Sequence, residues 1–181
     1  MVLAPGSKKS EPCSVEDALM EIAQHEYDAR DDIRSQMGAL ATNATRTEFV
    51  EAYRRTWRRS LVDSLRDHRS WSRETFDTSS LTDGALFAAG HLRPLLAPST
   101  GSIGEAGKTL VNGHERRSEF QGYRDTWLSG SVDQRGLSAV QHDRELTVVE
   151  GCHRLIALAW VLADGFEASM PRTVRMFVGR P

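Results

Sequence analysis

Covalent and metal staples are scarce in this chain of 181 residues. It has two cysteines, Cys13 and Cys152, far apart in the sequence. That excludes a disulfide framework and a four-ligand zinc pattern, and makes a reducing cytoplasm the expected compartment. No apolar run approaches the ~20 residues needed to cross a bilayer. Met1 to Pro12 carries Lys8 and Lys9 but no apolar h-region, so neither a secretory signal nor a membrane partner is expected. A formal charge of −2 gives no global reason to expect nucleic acid. The histidines, at 25, 68, 91, 114, 142 and 153, show neither H-x-H nor H-E-x-x-H spacing, and no metal ligand set is assigned. There is no G-x-S-x-G nucleophile elbow.

A P-loop is missing as well, although 101-Gly-Ser-Ile-Gly-Glu-Ala-Gly-Lys-Thr-109 invites the comparison. The motif requires a glycine five residues before Gly107, and that position is Ser102. Pro94 and Pro98 interrupt the approach, so no strand leads into it. The stretch reads as a glycine-rich surface loop or lid from which Lys108 can fold over a phosphate.

What the chain does have is an apolar run, Leu146 to Val149, that stops at Gly151 and restarts as helix formers from Leu155 to Leu162. A strand feeding a helix through a glycine turn leaves the first helical N–H groups pointing outward with the helix dipole behind them, which is an anion site. Cys152, His153 and Arg154 fall in that first turn. Arg154 offers a bidentate fork for phosphate, and the dipole is expected to lower the Cys152 thiol pKa. The bland alternative is a strand–helix corner whose His and Arg serve as ordinary hydrogen-bonding groups. Arg116 and Arg117, in a charged run before the next helix upstream, are candidates with Lys108 for a second anion wall. Arg54, Arg55, Arg58 and Arg59 around Trp57 read as the wet face of an amphipathic helix, because Glu51 and Asp63 dilute them.

Elsewhere, residues 1–13 read as a disordered tail. Helical spacing runs from Ser14 to about Leu40 and again from Thr47 through Leu65, forming a helical pair within 14–70. Residues 70–84 read as a linker. Leu86 to Leu96 offers a short strand or helix around Pro94, a helix covers Ser118 to Ser129, and strands are expected at Gly136 to Val140 and over Met170 to Val178. His142 beside Asp143 belongs to a turn.

Val-Val-Glu-Gly-Cys-His-Arg-Leu-Ile-Ala-Leu, 148–158, resembles the G-x-H-R segment of the ParB/sulfiredoxin superfamily. Its flanks resemble the same family's lead-in, Gly136-Leu-Ser-Ala-Val140, and its closing Pro-then-strand element at Met170 to Val178. The resemblance implies an α/β (α+β) fold: a small mixed-sheet domain over 85–181, preceded by the N-terminal helical pair. It further implies binding of ATP or another nucleotide, with Mg²⁺, at Gly151, Cys152, His153 and Arg154. A phosphotransferase acting on a small molecule is the first functional expectation, with Glu150, His153 and Cys152 as catalytic candidates and Glu150 as base or metal partner. Two alternatives stand beside it. One is a ParB-like nucleotide- or DNA-binding module that forms a homodimer through the helices. The other is sulfiredoxin-like thiol chemistry at Cys152, although the second glycine of that motif is Glu150 here.

Overall fold

The last strand, β6 (Thr173–Arg180), alternates exposed and buried residues up to Met176, is buried from there to Gly179, and lies in the interior of a sheet rather than at its edge. The computed structural model describes residues 4, 6–38, 44–87, 92–166 and 170–181. Within them one mixed sheet of six strands runs in the spatial order β1 (Ser7–Cys13), β2 (Ser70–Asp77), β6, β4 (Ser138–His142), β5 (Glu145–Glu150) and β3 (Ala85–Phe87). β4 and β5 form an antiparallel hairpin turning through Asp143, β6 runs parallel to β4, and β3 runs parallel to β5. The chain is mixed α/β.

Helices cover both faces. On one side α1 (Val15–Ala29), α2 (Asp31–Met37), α3 (Arg46–Arg54) and α4 (Arg59–Arg66) bury Leu19, Ile22, Ile33, Tyr53 and Leu65 against Trp71, Val140 and Phe177 of the sheet. On the other, α5 (Thr78–Gly84), α6 (Arg93–Leu96), α7 (Ile103–Val111), α8 (Arg117–Leu128) and α9 (Cys152–Ala163) pack on Phe76, Ala139, Leu146, Val148, Val174, Met176 and Val178. The alternation of strand side chains sends Ala139 to one core and its neighbour Val140 to the other.

Several expectations need correction. Residues 7–13, expected to be disordered, form β1, which pairs antiparallel with β2. Backbone pairing, not apolar burial, holds this strand, and Lys8, Lys9 and Pro12 are residues common on a protected sheet edge. Residues 70–77 are not a linker but β2, paired over its whole length with β6. Their polarity misleads because Ser72 and Glu74 are buried and satisfied by Arg180: Ser72 Oγ accepts from Arg180 Nη1 at 2.7 Å, and Glu74 Oε1 accepts from Arg180 Nη2. The first helical stretch is two helices, broken where Arg30 turns extended at φ −131° and ψ 113°, and the second is broken between α3 and α4. The intervening 39–43, part of the break expected at 41–45, lies outside the described residues. The sheet takes β1 and β2 from outside 85–181, and the helical region is one of its covering layers.

The glycine-rich stretch at 101–109 is not a loop either. It enters α7, with Ser102 Oγ capping the helix by accepting from Glu105 N–H at 3.1 Å. Glycine inside a helix costs roughly 1 kcal/mol against alanine. Gly107 is nevertheless required, because α7 crosses α9 so closely that a Cβ there would stand 2.5 Å from the Ala159 carbonyl carbon.

Candidate functional site

The strand–turn–helix unit forms as its sequence dictates: β5 ends at Glu150, Gly151 turns, and α9 begins at Cys152. Gly151 has φ +84°, the left-handed region in which a side chain is strained. A Cβ there would also strike Leu137 Cδ2 and stand 3.2 Å from Arg154 Nη2. Glycine offers no side-chain acceptor, so α9 starts without a side-chain cap and without an acidic residue in its first turn. The positive end of the helix is therefore left for another anion.

Arg154 does not reach into solvent. It is 5% exposed, buried beneath the turn. Its Nη1 donates to the carbonyls of Asp133, at 2.6 Å, and Arg135, at 2.8 Å, tying the 133–135 loop to α9. Its Nη2 is buried with no hydrogen-bond partner. Burial pulls the guanidinium pKa below its ordinary value, against the opposing pull of Glu150 and Asp133. A buried donor without an acceptor costs about 1–3 kcal/mol, and more when it is charged, so a donor is held ready here at a cost to stability.

The remaining motif residues take different positions. His153 stacks on Phe120 with ring centroids 5.2 Å apart and lies 6.0 Å from the Tyr123 ring. The Cys152 side chain, 9% exposed, joins the core, and its thiol donates to the Val148 carbonyl at 3.5 Å. Glu150 Oε1 accepts from Gly151 N–H at 2.9 Å, and its other oxygen lies 3.4 Å from Arg58 Nη2.

These residues line a cleft of about 460 Å³ whose opposite wall comes from the N-terminal helices: His25, Glu26 and Ala29 of α1, Arg30 at the break after it, and Arg58 just before α4. Glu26 is buried at 3% exposure, receives the Tyr53 hydroxyl at 2.7 Å, and accepts from Arg58 Nε at 2.8 Å. Burial, followed by the Glu26 carboxylate, pushes the Tyr53 phenol pKa up. His25 Nδ1 lies 3.0 Å from Asp133 Oδ2, beside the carbonyl that holds Arg154. Although burial opposes it, Arg135 and His25 hold the Asp133 carboxyl well below the ordinary range.

The expected second anion wall lies elsewhere. Arg116 pairs with Glu119 at 2.6 Å, Arg117 lies over the Trp160 ring at 4.6 Å, and Lys108 is an exposed residue of α7; none of the three lines the cleft. Arg30 and Arg58 line it instead, though the run around Arg58 reads as a solvated helix face. The signal for Arg58 in the sequence was on another residue: Glu26 falls at helical spacing on the apolar face of Leu19, Ile22 and Ala23, where a carboxylate demands a buried partner. A neighbouring cleft of about 440 Å³ contains Arg73 and Arg135, whose charges are met by Glu21 and by Asp133 and Asp28.

The site fits a phosphate group, which would accept from Arg154 and the turn. It suits a divalent cation less well. Its carboxylates, Glu26 and Glu150, both face Arg58, and among the described residues no group of three or more His, Cys, Asp or Glu is arranged to hold a metal. No family model matches the chain, and neither does any curated protein or solved structure. Among the described residues no helix is long and apolar enough to cross a membrane.

Proposed function

We propose that this cleft binds the phosphates of a nucleotide and that the protein is a nucleotide-dependent phosphotransferase acting on a small molecule. One observation carries the reading: a buried guanidinium, Arg154, with one terminal nitrogen fastened to the 133–135 loop and the other unpaired at the uncapped start of α9. A phosphate oxygen would recover that lost hydrogen bond and meet the positive end of the helix. Tyr123, an exposed ring at the cleft, offers a face for a base, and Arg30 and Arg58 add positive charge to the opposite wall. The resemblance to ParB/sulfiredoxin proteins supports the same ligand class.

Phosphoryl transfer asks a protein mainly for positioning and charge stabilisation. Arg154 and the first turn of α9 stabilise the transferred group, and His153 is oriented by its stack on Phe120. Glu150 takes the proton from the acceptor hydroxyl while that oxygen bonds to phosphorus and the bond to the leaving phosphate breaks, its electron pair going to the leaving oxygen. ATP or another nucleotide, with Mg²⁺ in solution, supplies the phosphoryl group. Sulfiredoxin-like chemistry is not favoured, because it needs an accessible thiolate and Cys152 packs into the core. Dimerisation through the N-terminal helices is not favoured either, because their apolar faces lie on the sheet.

A thermal-shift panel of ATP, ADP, CTP and inorganic phosphate with Mg²⁺ tests the reading on wild type, Arg154→Ala and Arg154→Lys. A ligand at ~100 Kd stabilises wild type by about 2.7 kcal/mol. Both variants should lose most of that shift, the lysine because a point charge cannot serve the loop carbonyls and the phosphate together. If no nucleotide or phosphate shifts the wild type, the reading fails.

A further inference from the structure

We propose that Glu150 is the cleft's own stand-in for phosphate, parked on the turn by Arg58 of the N-terminal helical layer, and that a phosphate-bearing ligand enters by exchanging with it. The proposal rests on the phosphate reading of the cleft and goes beyond it by assigning a built-in competitor and the post that holds it.

Both oxygens of Glu150 are engaged by donors that a phosphate would seek. Oε1 accepts from the Gly151 amide at 2.9 Å, and the second oxygen lies 3.4 Å from Arg58 Nη2. The unpaired Arg154 Nη2 lies close to Gly151, 3.2 Å from where a Cβ would stand. A phosphate, with several acceptor oxygens, can take the amide with one and Arg154 with another once the carboxylate has left the amide.

The two partners differ in freedom. Arg58 is a fixed post. Glu26 accepts from its Nε and its Nη2, the Tyr53 hydroxyl fixes Glu26 in turn, and the guanidinium carbon sits 4.1 Å over the Trp57 ring. Glu150 is held more lightly, by the amide and the edge of that guanidinium, and it projects from the last residue of β5. When a more highly charged anion takes the amide, Glu150 keeps Arg58 and stays beside the ligand, which is where a base for the acceptor hydroxyl is needed. Arg58 is thus a positioning residue, and the helical layer is part of the site.

An internal competitor lowers apparent affinity by the fraction of molecules in which the turn is open. A charge-assisted hydrogen bond at the low end of its range corresponds to about a tenfold effect. The test is calorimetric titration with inorganic phosphate, and separately with ATP, of wild type, Glu150→Ala, Glu150→Gln and Glu145→Gln. Glu145→Gln removes the same charge from the far, exposed end of β5 and controls for simple electrostatics. The expected order is Glu150→Ala about tenfold tighter than wild type, Glu150→Gln in between because its amide oxygen can still face Gly151, and Glu145→Gln within about twofold of wild type. Binding of inorganic phosphate by Glu150→Ala where wild type binds only ATP also supports the exchange. If wild type binds phosphate, Arg154→Lys loses it and Glu150→Ala is equal or weaker, the competitor is overturned and the phosphate site stands. The competitor is overturned in the same way if Glu145→Gln tightens binding as much as Glu150→Ala. If neither wild type nor Glu150→Ala binds phosphate or ATP, both proposals fall.

Discussion

Gly107 of α7 and Ala159 of α9 meet backbone to backbone: a Cβ on Gly107 would stand 2.5 Å from the Ala159 carbonyl carbon and 2.7 Å from its Cβ. The crossing presses α7 onto the helix whose first turn forms the candidate site. Gly107→Ala forces the helices apart, and overpacking of this kind costs about 1–3 kcal/mol even though alanine is the better helix former. A lower urea midpoint with an unchanged m value is the expected result; an alanine variant as stable as wild type would show that the crossing tolerates a methyl group.

Gly151→Ala adds a side chain at φ +84° and drives it into Leu137 Cδ2. A left-handed non-glycine residue costs about 1–2 kcal/mol before any clash. Destabilisation of about 2–3 kcal/mol is expected, together with loss of any phosphate-induced thermal shift, because the turn that presents the amide is displaced. Denaturation and titration of one preparation check both halves.

Glu74 is fully buried on β2 and paired with Arg180 of β6, with Ser72 Oγ donating to it at 2.8 Å. Burial raises its carboxyl pKa, but Arg180 and Ser72 outweigh burial and hold it below the ordinary 4.5. Because the folded value is the lower one, the pair's contribution is complete above pH 4.5 and is lost as pH falls through the folded value. Glu74→Gln should cost about 3 kcal/mol at neutral pH, the low end for breaking a buried pair, since Ser72 and Gln141 still accept from Arg180. Urea midpoints followed from pH 7 into acid should fall less below pH 4.5 for the variant than for wild type.

Neither thiol should react readily in the native protein. Burial, and then Asp17, push the Cys13 thiol up to about 11, so at pH 8 its thiolate is on the order of one part in a thousand. Cys152 is shielded by the core. Ellman's reagent at pH 8 should label both only after unfolding; fast labelling of Cys152 in the folded state would reopen thiol chemistry at this turn. Cys152→Ala should cost about 1–2 kcal/mol and leave the phosphate-induced shift intact.

Read as a string, the chain already contains the strand–Gly151–helix unit, the β4–β5 hairpin, α8 and the closing strand, because each is a local pattern: β-branched runs, a glycine break, apolar spacing of 3.6 or 2. Arg154 is legible there as a fork in the first turn of a helix. Its burial is not, nor is the division of its two terminal nitrogens between loop carbonyls and an unpaired position, because residues 133–135 reach it only through folding. The same limit hid β2. Ser72 and Glu74 look like solvated loop until Arg180, more than a hundred residues away in sequence, closes over them. It also hid α7, whose glycines punctuate the sequence but serve a helix crossing that no local pattern records. The opposite wall of the cleft is the clearest case. Local periodicity determined that the residues around Glu26 would be helical, whereas Arg58 falls where the expected second helix breaks between α3 and α4. Only the packing of those helices on Trp71, Val140 and Phe177 brought Glu26, Tyr53 and Arg58 to Glu150, because a buried ion pair is specified by distance in space and not by spacing along the chain.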